Sequence, residues 1–213
     1  MDNSTNETQQ GYDELAEEYV LHIYNELEHK PLDRALLNHF ADEVKQQGMV
    51  CDIGCGPGHV ARYVHERGVK VFGLDLSHKM VEQARQLNPD IEFKQGDMRA
   101  LDIADEALGG ILAFYSIIHI ERGQVTEALQ EFRRVLQTRG LLFLAFHVGQ
   151  ETLHIDELWG KEVSIDFHFF EREEIEGYLR AAGFVIEATI ERAPYADAEH
   201  PSRRVYIFAR KPQ

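Results

Sequence analysis

The chain has 213 residues, 44% of them hydrophobic and 28% charged, an ordinary globular composition long enough to bury a substantial core. Its 22 basic against 37 acidic residues leave a net charge of −15, which repels phosphate backbones and anionic lipid and disfavours nucleic-acid or membrane-surface binding. Two cysteines, Cys51 and Cys55, are too few for a disulfide framework and read as core thiols. The first ten residues lack the basic and apolar regions of a signal peptide, and no apolar run approaches the roughly 18–20 residues of a membrane span. A soluble, cytoplasmic protein is expected.

Residues 1–10 are polar after Met1 and read as a disordered tail. Tyr12, Leu15, Ala16, Tyr19, Ile23 and Leu27 then share one face of a helix. Pro31 suits the first turn of a second helix, with Leu36, Leu37, Phe40, Ala41 and Val44 as its stripe. These two helices form a cap over residues 11–48.

From residue 49 the period changes. MVCDI (49–53), VKVFGL (69–74), IEF (91–93), ILAFYS (111–116) and LLFLAF (141–146) read as strands, with helical patterns between most of them. Ser77 is placed to cap the helix that carries Met80, Ala84 and Leu87. Strands alternating with helices imply a parallel sheet with right-handed crossovers over 49–148. Residues 149–170 have no clean period and read as an insertion. A helix over 171–183 precedes two strands, 184–190 and 205–210, which a loop without a helix should pair antiparallel. The expected architecture is a single doubly wound domain of class α/β, a three-layer α/β/α sandwich, Rossmann-like and mainly parallel with one antiparallel strand.

VCDIGCGPGHV (50–60) carries the chemistry. A strand ends in an acidic residue, Asp52, followed by Gly54, Gly56 and Gly58 and the start of a helix. Glycines let the chain turn sharply and let a ligand approach the backbone. A dinucleotide fingerprint would place its third glycine at 59, where this chain has His59. A nicotinamide-dependent oxidoreductase is therefore the weaker alternative.

DIGCGPG resembles the first motif of class I S-adenosylmethionine-dependent methyltransferases. VFGLDLS (71–77) is similar to that family's second strand with its terminal acidic residue, QGDMRAL (95–101) to the loop after strand three, and ILAFYSIIHI (111–120) to strand four and the active-site edge. RRVLQTRGLLFLAF is similar to the family's helix-to-strand turn, except that Arg139 stands where a glycine is common. The resemblance covers about residues 49–210 and implies methyl transfer from S-adenosylmethionine to a small-molecule acceptor, with S-adenosylhomocysteine as product.

By that resemblance the backbone at Gly54 and Gly56 holds the methionine part of the cofactor, and Asp52 orients its ammonium. Asp75 bridges the ribose hydroxyls, Leu76 and Met98 pack on the adenine, and Asp97 accepts from its amine. Tyr19 and Tyr115 are further cofactor contacts, residues 149–170 form part of an acceptor lid, and no metal is implied. An acceptor hydroxyl or ammonium needs a base, for which His119 and His147, at the ends of strands four and five, are the candidates. The acidic surface argues against nucleic acid as acceptor, and a monomer or homodimer is expected. A non-catalytic binder of the cofactor stays open, because such motifs report binding rather than turnover.

Overall fold

The computed structural model describes residues 3–196 and 199–213. Its core is a seven-stranded sheet built from β1 (Met49–Ile53), β2 (Lys70–Asp75), β3 (Glu92–Gln95), β4 (Leu108–Phe114), β5 (Leu136–His147), β8 (Val185–Arg192) and β9 (Arg204–Arg210), in the order β3-β2-β1-β4-β5-β9-β8. The five strands from β3 to β5 are parallel, and β9 alone runs against its neighbours β5 and β8. The strand order reverses between β1 and β4. At such a switch point the helices that follow the two strands leave on opposite sides and a crevice opens at the carboxyl ends.

Two buried apolar layers cover the faces of the sheet. One joins α2 (Pro31–Val44), α3 (His59–His65) and α4 (His78–Leu87) through residues such as Phe40, Val64 and Ala84. The other joins α5 (Val125–Val135) and α6 (Arg172–Ala181) through Leu129, Phe132, Ile175 and Leu179. β4 is buried along its whole length, which explains its unbroken apolar sequence. Pro31 opens α2, and Ser77 Oγ accepts from Met80 N at 3.0 Å to cap α4, both as the sequence implies. Cys51 and Cys55 are buried free thiols.

Two segments depart from expectation. The polar start is not a loose tail: α1 begins at Asn3 and runs to Ile23, while residues 1 and 2 lie outside the described residues. Its first turns bury the small side chains of Thr5 and Thr8, and Arg99 Nη2 donates to Thr5 Oγ1 at 2.6 Å, so polar contacts replace the apolar stripe. Residues 149–170 form an antiparallel hairpin, β6 (Thr152–Leu158) and β7 (Lys161–His168), whose β7 packs on α1. Trp159 and Gly160 at its tip both have positive φ, a turn that the tryptophan disguises in the sequence.

β4 also begins three residues earlier than the apolar run, through Gly109-Gly110. A Cβ at Gly109 would strike the carbonyl oxygen of Gln47, so glycine is what allows the chain after α2 to pass this close to the strand. Among the described residues, no helix is long and apolar enough to cross a membrane.

Candidate active site

The carboxyl ends of β1 to β5 converge on one cavity of about 300 Å³. Every candidate cofactor or catalytic residue lines it: Asp52 in β1 with Gly54 and Gly56 after it, Asp75 at the end of β2 with Leu76 after it, Asp97 and Met98 after β3, Tyr115 and His119 after β4, and His147 at the end of β5, with Tyr19 from α1.

The turn after β1 is held from two sides. Gly54 N and Cys55 N both donate to Leu74 O, at 2.7 and 3.1 Å. Gly54 has φ +68°, and a Cβ there would strike Ser116 Cβ. Gly54→Ala therefore combines a left-handed backbone with a collision, and is expected to destabilise the fold by about 1–3 kcal/mol. Thermal melting of the purified variant checks this.

Asp75 holds the same turn from the next strand. Its Oδ2 accepts from Gly56 N at 2.8 Å and its Oδ1 from Ser77 N at 2.9 Å. Burial nonetheless pushes its pKa up to about 6. Asp52 is 1% exposed, and its Oδ2 is a buried oxygen without a hydrogen-bond partner. Burial raises its pKa to about 7. An unpartnered carboxylate oxygen in a closed site is costly unless a ligand donates to it. The pair is thus suited to a ligand that brings a cation and hydroxyl donors.

Asp97 is more engaged than the sequence suggests. Arg99 N and Nε donate to its Oδ1 at 2.9 and 3.1 Å, and Arg99 Nη2 to its Oδ2 at 2.7 Å. Tyr115 has φ +57°, a conformation uncommon for a bulky residue. Its N donates to Ala145 O at 2.9 Å and its hydroxyl lies 2.9 Å from that of Tyr206, so the ring is fixed at the rim of β4.

The two candidate bases differ in freedom. His119 is fully engaged: its Nδ1 lies 3.1 Å from Asp166 O and its Nε2 2.7 Å from Tyr12 Oη. The carbonyl can only accept, so Nδ1 carries the proton and Nε2 accepts from the tyrosine. Burial lowers its pKa to about 4, which keeps this neutral tautomer. His147 Nδ1 meets Ser202 Oγ at 2.9 Å, and its other ring nitrogen has no hydrogen-bond partner among the described residues. Burial, then the charge of Arg204, lowers its pKa to about 3. Its ring stacks on Phe169 at 5.2 Å and lies 5.1 Å from the Tyr115 ring.

The cavity also holds residues that sequence reasoning did not assign: Ser116, Glu26, Lys30, His59, Glu199 and Arg204. Glu199 accepts from Arg192 Nη1 at 2.6 Å and lies 3.3 Å from Lys30 Nζ, while Arg192 Nη2 also reaches Asp33 at 3.0 Å. These groups come from two stretches, 26–33 and 192–204, that are far apart in sequence. Only His59, the residue in place of a third glycine, left a signal that could have been followed.

α1 closes the cavity through polar clasps. Besides Tyr12 on His119, Asp13 Oδ1 accepts from Ser77 Oγ at 2.6 Å, and Asp13 Oδ2 lies 2.9 Å from His78 Nδ1. Phe167 of the hairpin also lines the wall.

A family profile described as a methyltransferase domain matches residues 50–140. The chain is 25% identical over 178 residues to a malonyl-[acyl-carrier protein] O-methyltransferase of Enterobacter lignolyticus, covering 82% of this chain and 68% of that protein. It is 33% identical over 114 residues to the protein of the same name from Salmonella typhimurium, covering 51% and 45%. The chain thus spans about half to two thirds of the length of these relatives. Among solved structures, an S-adenosylmethionine-dependent methyltransferase of Methanosarcina mazei superposes with a TM-score of 0.74 at 16% identity, over 82% of this chain and 97% of that one.

Proposed function

We propose that this chain, whose residues 50–140 match a methyltransferase-domain profile, is a class I S-adenosylmethionine-dependent methyltransferase that moves the methyl group of that cofactor to a small molecule held in the cavity beside Tyr115 and His147. The observation that carries this reading is the pair of buried carboxylates, Asp52 and Asp75, facing an enclosed cavity at the switch point of the sheet. α1 and the β6–β7 hairpin cover that cavity, which leaves room for a compact acceptor rather than a polymer.

When bound, S-adenosylmethionine supplies an electrophilic methyl group on a sulfonium that leaves as a neutral thioether. The protein's tasks are to align the acceptor with that group and to exclude water. Asp75 would take the ribose hydroxyls, each in a charge-assisted hydrogen bond. Asp52 would accept from the ammonium, which gives its unpartnered oxygen a donor. Leu76 and Met98 would flank the adenine, and Asp97 would accept from its amine. Gly54 and Gly56 would bring backbone close to the methionine portion, and Tyr19 and Tyr115 would present rings beside the cation.

For an acceptor that must lose a proton, His147 is placed to take it, because one ring nitrogen has no hydrogen-bond partner among the described residues. His119 would act through Tyr12, whose hydroxyl it orients.

The test is titration calorimetry with S-adenosylhomocysteine and, separately, NAD. Micromolar binding of the first, roughly −7 to −8 kcal/mol, with none of the second supports the reading. Binding of NAD alone overturns it. Turnover is then read as S-adenosylhomocysteine release against a panel of small carboxylic acids, phenols and amines.

The raised carboxylates add a pH prediction. In the free protein Asp52 and Asp75 bind protons at about 7 and about 6, above the ordinary carboxylate range. A cationic ligand favours their ionised forms and lowers both values, so binding expels protons when the pH is near or below 7. Affinity for S-adenosylmethionine should therefore fall as pH drops through 7 and then 6, by up to about tenfold per pH unit for each carboxylate. Calorimetry at pH 6 in buffers of different ionisation heat should show proton release. Net proton uptake in a His59→Gln variant, which has no imidazole beside Asp52 to protonate, would contradict the assignment.

A further inference from the structure

His59 occupies an unusual electrostatic position. Its side chain is 10% exposed and lines the cavity on the floor formed by the turn after β1. Its Nε2 donates to Glu26 Oε1 at 3.2 Å, while its Nδ1 is a buried nitrogen with no partner. Asp52 Oδ2 is likewise buried without a hydrogen-bond partner, as are Ser116 Oγ and Arg204 Nε elsewhere on the cavity wall, and the charge of His59 is felt at Asp52. The same floor thus presents one unfilled acceptor and one unfilled imidazole nitrogen.

Glu26 fixes what that nitrogen can be. Burial alone would raise the Glu26 pKa, but the hydrogen bond and charge of His59, with those of Lys30, outweigh burial and hold it at about 2. A carboxylate in that state only accepts, so Nε2 carries a proton. Lys30 cannot serve a ligand as well as His59 can: its Nζ lies 2.6 Å from Glu26 and 3.3 Å from Glu199, between two carboxylates.

We propose that His59, oriented by Glu26, is the group that reads the α-carboxylate of the cofactor's methionine end, with Nδ1–H donating to it while Asp52 accepts from the neighbouring ammonium. The inference rests on the S-adenosylmethionine reading above and assigns His59 a positioning and specificity role. Donating from both nitrogens makes the ring an imidazolium, which Glu26 neutralises on one side and the ligand carboxylate on the other. A zwitterionic amino-acid head then meets two groups of opposite charge on one floor. A ligand with the ammonium but no carboxylate would leave Nδ1 buried and unpaired.

The experiment compares two ligands on one protein sample by titration calorimetry: S-adenosylhomocysteine and its decarboxylated counterpart, S-adenosyl-3-thiopropylamine, which keeps the ammonium. The ratio of the two dissociation constants is independent of how much of a sample is folded. The wild-type protein is expected to prefer the carboxylate ligand by about 10- to 100-fold, as one charge-assisted bond predicts. In His59→Gln and in His59→Ala the preference should shrink to within about threefold, with affinity for the decarboxylated ligand little changed. An undiminished preference in both variants overturns the proposal and points to another carboxylate reader. Equal weakening of both ligands overturns it too, since that is the mark of a packing role. If the wild-type protein binds neither ligand, the cofactor reading itself fails, and this inference with it.

Discussion

Replacing Asp75 by alanine should weaken S-adenosylhomocysteine binding by about 2–4 kcal/mol, because two charge-assisted hydrogen bonds are lost and the ligand's hydroxyls are left buried without partners. The structure gives the loss a second source. Asp75 is also the acceptor for Gly56 N and Ser77 N, so its removal loosens the turn after β1 and the start of α4 together. Asp75→Asn separates the two contributions. The amide oxygen can still accept one backbone N–H but carries no charge, so a smaller loss is expected, with the fold closer to wild type. Calorimetry gives the affinity and thermal melting the fold. Unchanged affinity in folded Asp75→Ala would mean that another residue holds the ribose.

The second large effect concerns the rate. With an acceptor that must be deprotonated, His147→Gln is expected to lower kcat by ~10²–10⁴ while leaving cofactor affinity nearly unchanged. His119→Asn should behave differently. That ring joins Tyr12 of α1 to the backbone of β7 at Asp166, so its loss should lower the melting temperature by uncoupling three elements. A rate loss of the same size in His119→Asn, with stability intact, would return the base to His119. Full activity in both variants would mean that the acceptor arrives already deprotonated, as a carboxylic acid does at neutral pH.

Strand and helix periods were enough to place the five parallel strands, because β1, β4 and β5 are apolar runs flanked by glycines and by amphipathic helices such as α5. The glycine turn, Asp75 and Asp97 were legible for a local reason: each follows the carboxyl end of a strand, and a parallel sheet brings those ends together. The hairpin was not legible. β6 is exposed along most of its length and so shows no alternating apolar face, and the first turns of α1 were hidden by a polar first decade that folds through Thr5, Thr8 and Arg99. Glu26 and Lys30 pair within one turn and Glu199 and Arg204 within five residues, but the Lys30–Glu199 contact that joins the two groups spans more than 150 positions, a distance over which no spacing rule operates. Histidines were the least readable class. Composition and position could not separate His119, tied at both nitrogens, from His147, free at one.

The contact between α1 and the hairpin tip has an optical consequence. Trp159 is the chain's single tryptophan. Its ring stacks on His22 at 4.5 Å and meets the edge of Tyr19 at 5.8 Å, two side chains of the helix that covers the cavity. A ligand that displaces that helix would change the distance between the indole and the two rings packed on it, and with it the indole's emission. The protein therefore carries a native fluorophore at the seam between α1 and the hairpin, and stopped-flow emission would report any ligand-linked change there without an added label.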